Sequence, residues 1–448
     1  MVTQYVLAAI AGVSVLGLVA AKISRDLFWG LAALIFFLPF ERIPTLEIAG
    51  FTLKVNHVVG GLLILFFVLD LIFNKRKLRP NPVVIPATLF IIALILSFST
   101  STGGIRSVIF LVLDLFVIAL FLVIPQLIDT KAKFMRLITV LFWSVGVVAV
   151  FGLYQFGADI IGLSNSFSGL DPGYSSDVFG FPRIQAFSRE PLYLGNYLLI
   201  PLGAMAGLIL EKSAKLGLLP LALLTLLTFI FTLSRGAFLA FGVAAVFLFF
   251  FAFRRIVSFR NVFWCTTVLL LSLLGFNLIF GRLNPDYKDR FLAHATVADY
   301  RKGESTQGRL NAFSKAIDAF NEAPITGIGL GAYGMYVLDY PNDAPSGGWF
   351  IVNNQYLELL AETGIIGLVT SVFLVVVLLA RSLVAYLRTN DSFAQSMVLG
   401  LTAALVGTLV QYNFFSTVAI IHIWVLMGLI VAAQNLALKS LKTVTKRY

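Results

Sequence analysis

Apolar runs of bilayer-spanning length recur along almost the whole chain, and that repetition restricts the fold to a bundle of membrane helices. A spanning helix needs roughly 20 apolar residues. Hydrocarbon offers no water to backbone N–H and C=O groups, so only a helix or a closed barrel satisfies them there. Candidate runs cover approximately residues 4–21, 27–40, 55–73, 83–98, 105–128, 137–156 and 191–210. They continue over 216–231, 236–253, 262–280, 357–380, 397–410 and 414–437. The run over 27–40 is short enough to be re-entrant or tilted. Composition agrees: 59% of the 448 residues are hydrophobic and 12% are charged, about half the charged share of a soluble domain. The expected fold is all-α, a polytopic integral membrane helix bundle of about 12–13 transmembrane helices, built as a single domain over residues 1–448. Nothing basic precedes the first apolar run, so it reads as a span rather than a cleaved signal peptide. The single cysteine, Cys265, excludes an intramolecular disulfide.

Charge orients this bundle. The loops holding Lys22, Arg25, Lys75, Arg76, Lys77, Arg79, Lys131, Lys133, Arg136, Lys212, Lys215, Arg254, Arg255, Arg260, Arg381 and Arg388, with the C-terminal tail, carry 20 basic residues against 5 acidic ones. Everything else carries 13 basic and 17 acidic residues, and the two sets sum to the net charge of +11. The positive-inside rule places the first set, including the C-terminus, in the cytoplasm and the long loops outside. The basic balance therefore reports orientation and contact with anionic headgroups, and nucleic acid is not an expected partner.

Two external segments exceed ordinary loop length, 157–189 and 281–355. Loops this long are functional or disordered, and the aromatics and periodic pieces in both favour order. Within the second, Leu310, Phe313, Ile317 and Phe320 recur at helical spacing with Ala312, Ala316 and Ala319 beside them, and Thr306 is the expected N-cap. Pro324 and the run GIGLGAYG then stop the helix. The result is a short amphipathic helix on the outer leaflet or against the bundle, serving either as a cover or as the wall of a site.

No HExxH, CxxC or Walker-type motif is present, and His57, His294 and His422 are scattered. GIGLGAYG follows a helix rather than a strand, which removes a dinucleotide reading. What remains is a set of charged residues at external helix ends. Arg189 and Glu190 open one span, Arg235 sits in a tight turn between two, Arg309 starts the amphipathic helix, and Arg183 lies in the preceding loop. Guanidinium groups fork onto phosphate oxygens and stay charged, so several at one rim point to an anionic ligand such as a diphosphate. The competing reading for any one of them is pairing with a nearby carboxylate. Asp114 lies inside a span, one or two turns below Arg106, and reads first as a structural pair or hydrogen bond.

The ordered set TLSRGAFLAF, GRLNAFSKAIDAFNEAPITGIGLGAYG and NNQYLELLAETGIIG resembles the O-antigen ligase and O-antigen polymerase superfamily, with FSREP as a further match. The resemblance covers roughly the C-terminal half. It implies a GT-C-like membrane glycosyltransferase of the bacterial inner membrane, taking undecaprenyl-diphosphate-linked glycan as donor on the periplasmic face with no metal or other cofactor. The acceptor would be lipid-linked glycan or lipid A core, and a chain-length regulator or flippase would be partner proteins. Arg189 and Arg235 match arginines thought to bind the donor diphosphate. Arg183, Arg309, Asn353, Asn354, Tyr356 and Glu358 are the accompanying substrate-binding candidates. Ligases typically have His-Asn where this chain has Asn353 and Asn354, and an amide cannot act as a general base. Glu190 is the preferred base; its alternative reading is a salt bridge or a helix N-terminal carboxylate. Glu358 and Glu362 stand second and His294 behind them. The missing histidine and the SREP segment favour a polymerase of lipid-linked repeat units, with a ligase as the alternative. A small-anion transporter ranks lower, because it would place its ionisable residues near the bilayer midplane.

Overall fold

The computed structural model describes residues 17, 19–42, 45–48, 51–175, 180–211, 217–256, 304–339 and 349–444. The first part of the chain forms α1 (Leu27–Phe37), a hairpin of β1 (Thr45–Ile48) and β2 (Phe51–Lys54), α2 (Val55–Phe73), α3 (Val84–Ser99), α4 (Gly104–Leu127) and α5 (Lys131–Ile160). Next come the short α6 (Asn165–Ser168), then α7 (Pro191–Leu210), α8 (Leu218–Phe231) and α9 (Arg235–Ile256). The last part forms α10 (Glu304–Glu322), the short α11 (Tyr333–Tyr336), α12 (Gln355–Arg388), α13 (Ser392–Gln411) and α14 (Ile421–Val444). Among the described residues, α2, α4, α5, α7, α12, α13 and α14 are long and apolar enough to cross a membrane, and α1, α3, α8 and α9 are shorter apolar helices. The all-α polytopic bundle expected from the apolar runs is what forms. The runs expected over 4–21 and 262–280, together with His294, lie wholly or largely outside the described residues.

Local chemistry sets the helix starts. Asp26, Thr130 and Asp391 each turn a side-chain oxygen onto the first free N–H groups of α1, α5 and α13, the usual way of satisfying those donors. With 11 residues, α1 is only about 16 Å long, half of the ~30 Å hydrocarbon core. The two-stranded antiparallel hairpin, in which Thr45 faces Lys54 and Ile48 faces Phe51, was not anticipated. It brings Lys54 to the N-cap of α2.

The interior is α7, α13 and α14, buried over 78%, 78% and 83% of their apolar windows, against 28% for α2 and α12. Because lipid is as apolar as leucine, close backbone packing rather than a hydrophobic drive joins helices here. A Cβ on Gly203 of α7 would lie 2.4 Å from the carbonyl oxygen of Gly400 on α13, and one on Gly207 would lie 2.2 Å from that of Ser396. The two backbones touch with no side chain between them.

Two helix boundaries and one buried face differ from the sequence reading. Helix α14 begins at Ile421, not at 414, because residues 414–420 run irregularly through the protein and spend their polar groups on neighbours. Helix α10 already includes Glu304 and Ser305, so Thr306 is not its N-cap. That helix turns Ala316 and Ala319 inward with Phe313 packed beside them, while Leu310 and Ile317 stay about half exposed.

The segment 157–189 is ordered over its described part. Phe187 stacks between Phe40 and Phe151, each at 4.5 Å between ring centroids. The Gln155 side chain donates to Gly169 O and accepts from Ala186 N.

Candidate active site

The GIGLGAYG run acts as a fastening. Helix α12 is broken at Gly364, whose φ of 62° and ψ of −164° are not helical, and a break frees backbone groups that need other partners. The run before and within GIGLGAYG supplies them. Ile365 N donates to Pro324 O at 2.9 Å, while Ile328 N and Gly329 N donate to Ala361 O and Glu362 O at 2.9 and 3.1 Å. The Glu362 carboxylate accepts from Gly331 N at 2.9 Å and Tyr333 N at 3.0 Å. Arg106 Nε donates to Gly331 O at 2.7 Å, and its guanidinium lies over Phe110 and Trp349. The glycine-rich run is thus a clamp joining α10 and α11 to α4 and α12.

At the end of the bundle opposite the lysine- and arginine-rich loops, a polar cavity of about 160 Å³ opens between α2, α7 and α14. Arg189, Lys54, Glu41, His57 and Tyr193 line it, with Thr417 and His422. Lys54 Nζ lies 3.5 Å from Glu41 Oε1, and Arg189 N donates to Glu41 Oε2 at 3.3 Å. His57 Nδ1 accepts from Lys54 N at 3.1 Å. That bond places the proton of the neutral ring on Nε2, which makes His57 a donor rather than a base. His422 Nε2 is 2.8 Å from Asn196 Oδ1. Asn56, 2% exposed and in the lining, has an Oδ1 that finds no hydrogen-bond partner among the described residues, and a buried acceptor in that position suits a hydroxyl-bearing ligand.

Of the sequence-stated candidates, Arg189 is in this lining and Glu190 is its half-buried neighbour at the N-cap of α7. The Glu190 side chain makes no cap hydrogen bond, so the carboxylate is not spent on the helix. Burial raises its pKa from the ordinary carboxylate value, against the opposing pull of Arg189 and Arg183. Arg183 lies over the Tyr174 ring. Arg235 is the exposed first residue of α9. The starts of α7 and α9 are in contact, since a Cβ on Gly195 would lie 2.6 Å from Ala237 Cβ. Arg235 nevertheless lies outside the cavity lining, as does Arg309, half-buried on α10.

The NNQYLE segment has structural duties. Asn353 adopts φ of 57° and donates its N–H to Ser416 Oγ. Asn354 Oδ1 caps α12 through Tyr356 N and Leu357 N. Tyr356 OH donates to Leu409 O at 2.6 Å. Glu358 is 7% exposed and accepts from Val352 N. Sequence reasoning missed Glu41, Lys54 and Asn56 altogether, and it left His57 and His422 among the scattered histidines. The one visible signal was the polar KVNH opening of an apolar run.

Residues 220–372, about a third of the chain, match a family model described as O-Antigen ligase. The match runs from α8 through α9 and α10 to the broken part of α12, and so contains Arg235, Arg309, Asn353, Asn354, Tyr356 and Glu358. A search of curated proteins gives no match. Over that stretch the chain is similar to O-antigen ligases, and the match supports its assignment to the O-antigen ligase and polymerase superfamily.

Proposed function

We propose that the chain polymerises undecaprenyl-diphosphate-linked oligosaccharide repeat units at the face of the inner membrane opposite its basic loops. The observation that carries this reading is the 160 Å³ polar cavity, where Arg189 and Lys54 bring two cations to one rim beside Glu41 and His57. In the reaction the acceptor hydroxyl oxygen forms a bond to the anomeric carbon of the donor glycan. The bond from that carbon to the diphosphate breaks, and the diphosphate leaves with the electron pair. Its charge falls to Arg189 and Lys54, with Arg235 at the start of the adjoining helix. One preorganised donor at a developing charge is worth about 2.7–4 kcal/mol. Glu190 takes the acceptor proton.

An apolar cavity of about 230 Å³ between α12, α13 and α14, lined by Tyr356, Leu405, Leu409, Trp424 and Met427, suits a segment of the isoprenoid tail. The family match favours glycan transfer over anion transport, although Asp114, Glu358 and Glu362 are buried inside the bundle.

The test supplies membranes containing the protein with a lipid-linked repeat unit. A ladder of longer glycans is expected. A single product that forms only when lipid A core is added would assign a ligase instead, and no glycan product at all would overturn the reading.

A further inference from the structure

Asp114 on α4 is 1% exposed and Gln355 on α12 is 3% exposed. Both line a cavity of about 60 Å³ bounded by α4, the first turns of α12 and residues 417–419. Among the described residues, Asp114 Oδ2 and Gln355 Nε2 each find no hydrogen-bond partner. One is an acceptor and the other a donor. Leaving either unsatisfied costs about 1–3 kcal/mol, and a water needs only about 10–15 Å³ of such space and 2–4 polar partners. An orphan acceptor and an orphan donor on two residues that line one chamber, with room for more than one water, are what a hydrated site requires.

The other carboxylates around it are committed. Glu362 holds Gly331 N and Tyr333 N. Glu358 accepts from Val352 N and from the Ser416 side chain. Arg106, the cation acting on both, has its Nε bound to Gly331 O. The titratable groups acting around Asp114 are Glu358 and Glu362 of α12 and Tyr412 at the end of α13. From α2 and α14, His57 and His422 face the neighbouring external cavity. Asp114 therefore has the open carboxylate oxygen.

The chamber adjoins the external cavity. Thr417 and Ala419 line both it and the external cavity. Thr417 N donates to Gln355 Oε1 at 2.6 Å, and the Tyr193 hydroxyl is hydrogen-bonded to the Thr417 side chain. Ionisable groups inside a membrane protein mark ion or proton pathways when they face a wet cavity.

We propose that this chamber is a hydrated proton site in which Asp114 is the exchanging carboxylate, joined to the external cavity through Gln355, Thr417 and Tyr193. Its use rests on the glycosyl-transfer reading. Each turnover gives the acceptor hydroxyl's proton to Glu190, and that proton passes by way of Tyr193 and Thr417 to the Asp114 carboxylate, which later returns it to the external face. No oxidant, reductant or further reactant is needed.

Infrared difference spectroscopy of the purified chain in lipid nanodiscs, stepped between acidic and alkaline buffer in H₂O and D₂O, tests the site without any glycan. A carboxyl C=O band that follows external pH, shifts in D₂O and disappears in Asp114→Asn is expected. Gln355→Leu should keep the band and slow its deuterium shift roughly tenfold, as loss of a bridging hydrogen bond implies. Should Asp114→Asn not fold, Asp114→Glu must move the band in frequency. The proposal is overturned if the band survives in Asp114→Asn, is unmoved in Asp114→Glu, or ignores external pH in the wild type. A glycan ladder without this band leaves the transferase reading standing, and the band without a ladder leaves the site standing.

Discussion

A Cβ placed on Gly364 would lie 2.3 Å from the carbonyl oxygen of Ile325. Two segments nearly forty residues apart are thus pressed together through a gap in a membrane helix, and only a glycine at φ of 62° leaves that gap open. Gly364→Ala should lower stability by about 2 kcal/mol or more, from the left-handed backbone alone, with the clash in addition. Unfolding in mixed micelles by increasing SDS should show an earlier midpoint. A midpoint equal to wild type would mean that the insertion of 324–329 does not hold the helix break.

Glu362 supplies both oxygens to the N–H groups of Gly331 and Tyr333. Glu362→Gln replaces one acceptor with a donor, which leaves a buried N–H unpaired at a cost of about 1–3 kcal/mol. Hydrogen exchange at the Gly331 and Tyr333 amides should accelerate at least tenfold relative to the interior of α13. Unchanged protection would show that the clamp is carried by its backbone bonds alone.

Arg189→Ala and Arg235→Ala should each lower the initial rate of glycan transfer by about 100-fold or more, the scale for removing one preorganised donor. Both arginines are exposed, so the amount of folded protein in the membrane should not fall. Initial rates normalised to folded protein decide the matter, and two variants of wild-type rate would place the diphosphate elsewhere.

Burial raises the Glu190 pKa, with Arg189 and Arg183 opposing. Glu190 works as a base only when ionised, so transfer should rise as pH climbs through a value above 4.5, the unperturbed value. The stability sign is the opposite. A carboxyl whose folded pKa is raised stabilises the fold below its unfolded pKa, and that contribution is lost as pH rises through the folded value. Rate-against-pH profiles should lose their acidic limb in Glu190→Gln. An identical limb in that variant would assign it to another group.

The spans that were legible are those where apolar run and helix coincide, such as 55–73 and 191–210, because both were bounded by polar or proline-containing sequence. Residues 414–420 misled because they are apolar through burial in protein rather than in lipid. Composition does not separate those two environments. The break in α12 was invisible for a related reason: TGIIGL is an unremarkable apolar stretch until Pro324 and Ile325 are brought against it. At the site, Arg189 and Glu190 could be singled out because a charged pair opening a span is conspicuous. Glu41 and Lys54 could not, since more than 130 residues separate them from Arg189 and only the folded chain puts them in one cavity.

Gly400→Leu should force α7 and α13 apart, since even a Cβ there would lie 2.1 Å from Gly203 O. An overpacked contact of this kind costs at least about 1–3 kcal/mol. The SDS midpoint should fall well below that of a control such as Val376→Leu on the exposed face of α12. Equal midpoints would show that the two helices are free to separate.

Backbones in direct contact cannot slide past one another, so α7 and α13 form one stiff strut through the middle of the protein. Its outer tip carries Glu190 on one side and Tyr412 on the other. On the proposed glycan-transfer reading, adjustment to glycans of different size falls to the described external parts, 157–175, 180–189 and 304–339, and changes in substrate preference should map there rather than to the strut.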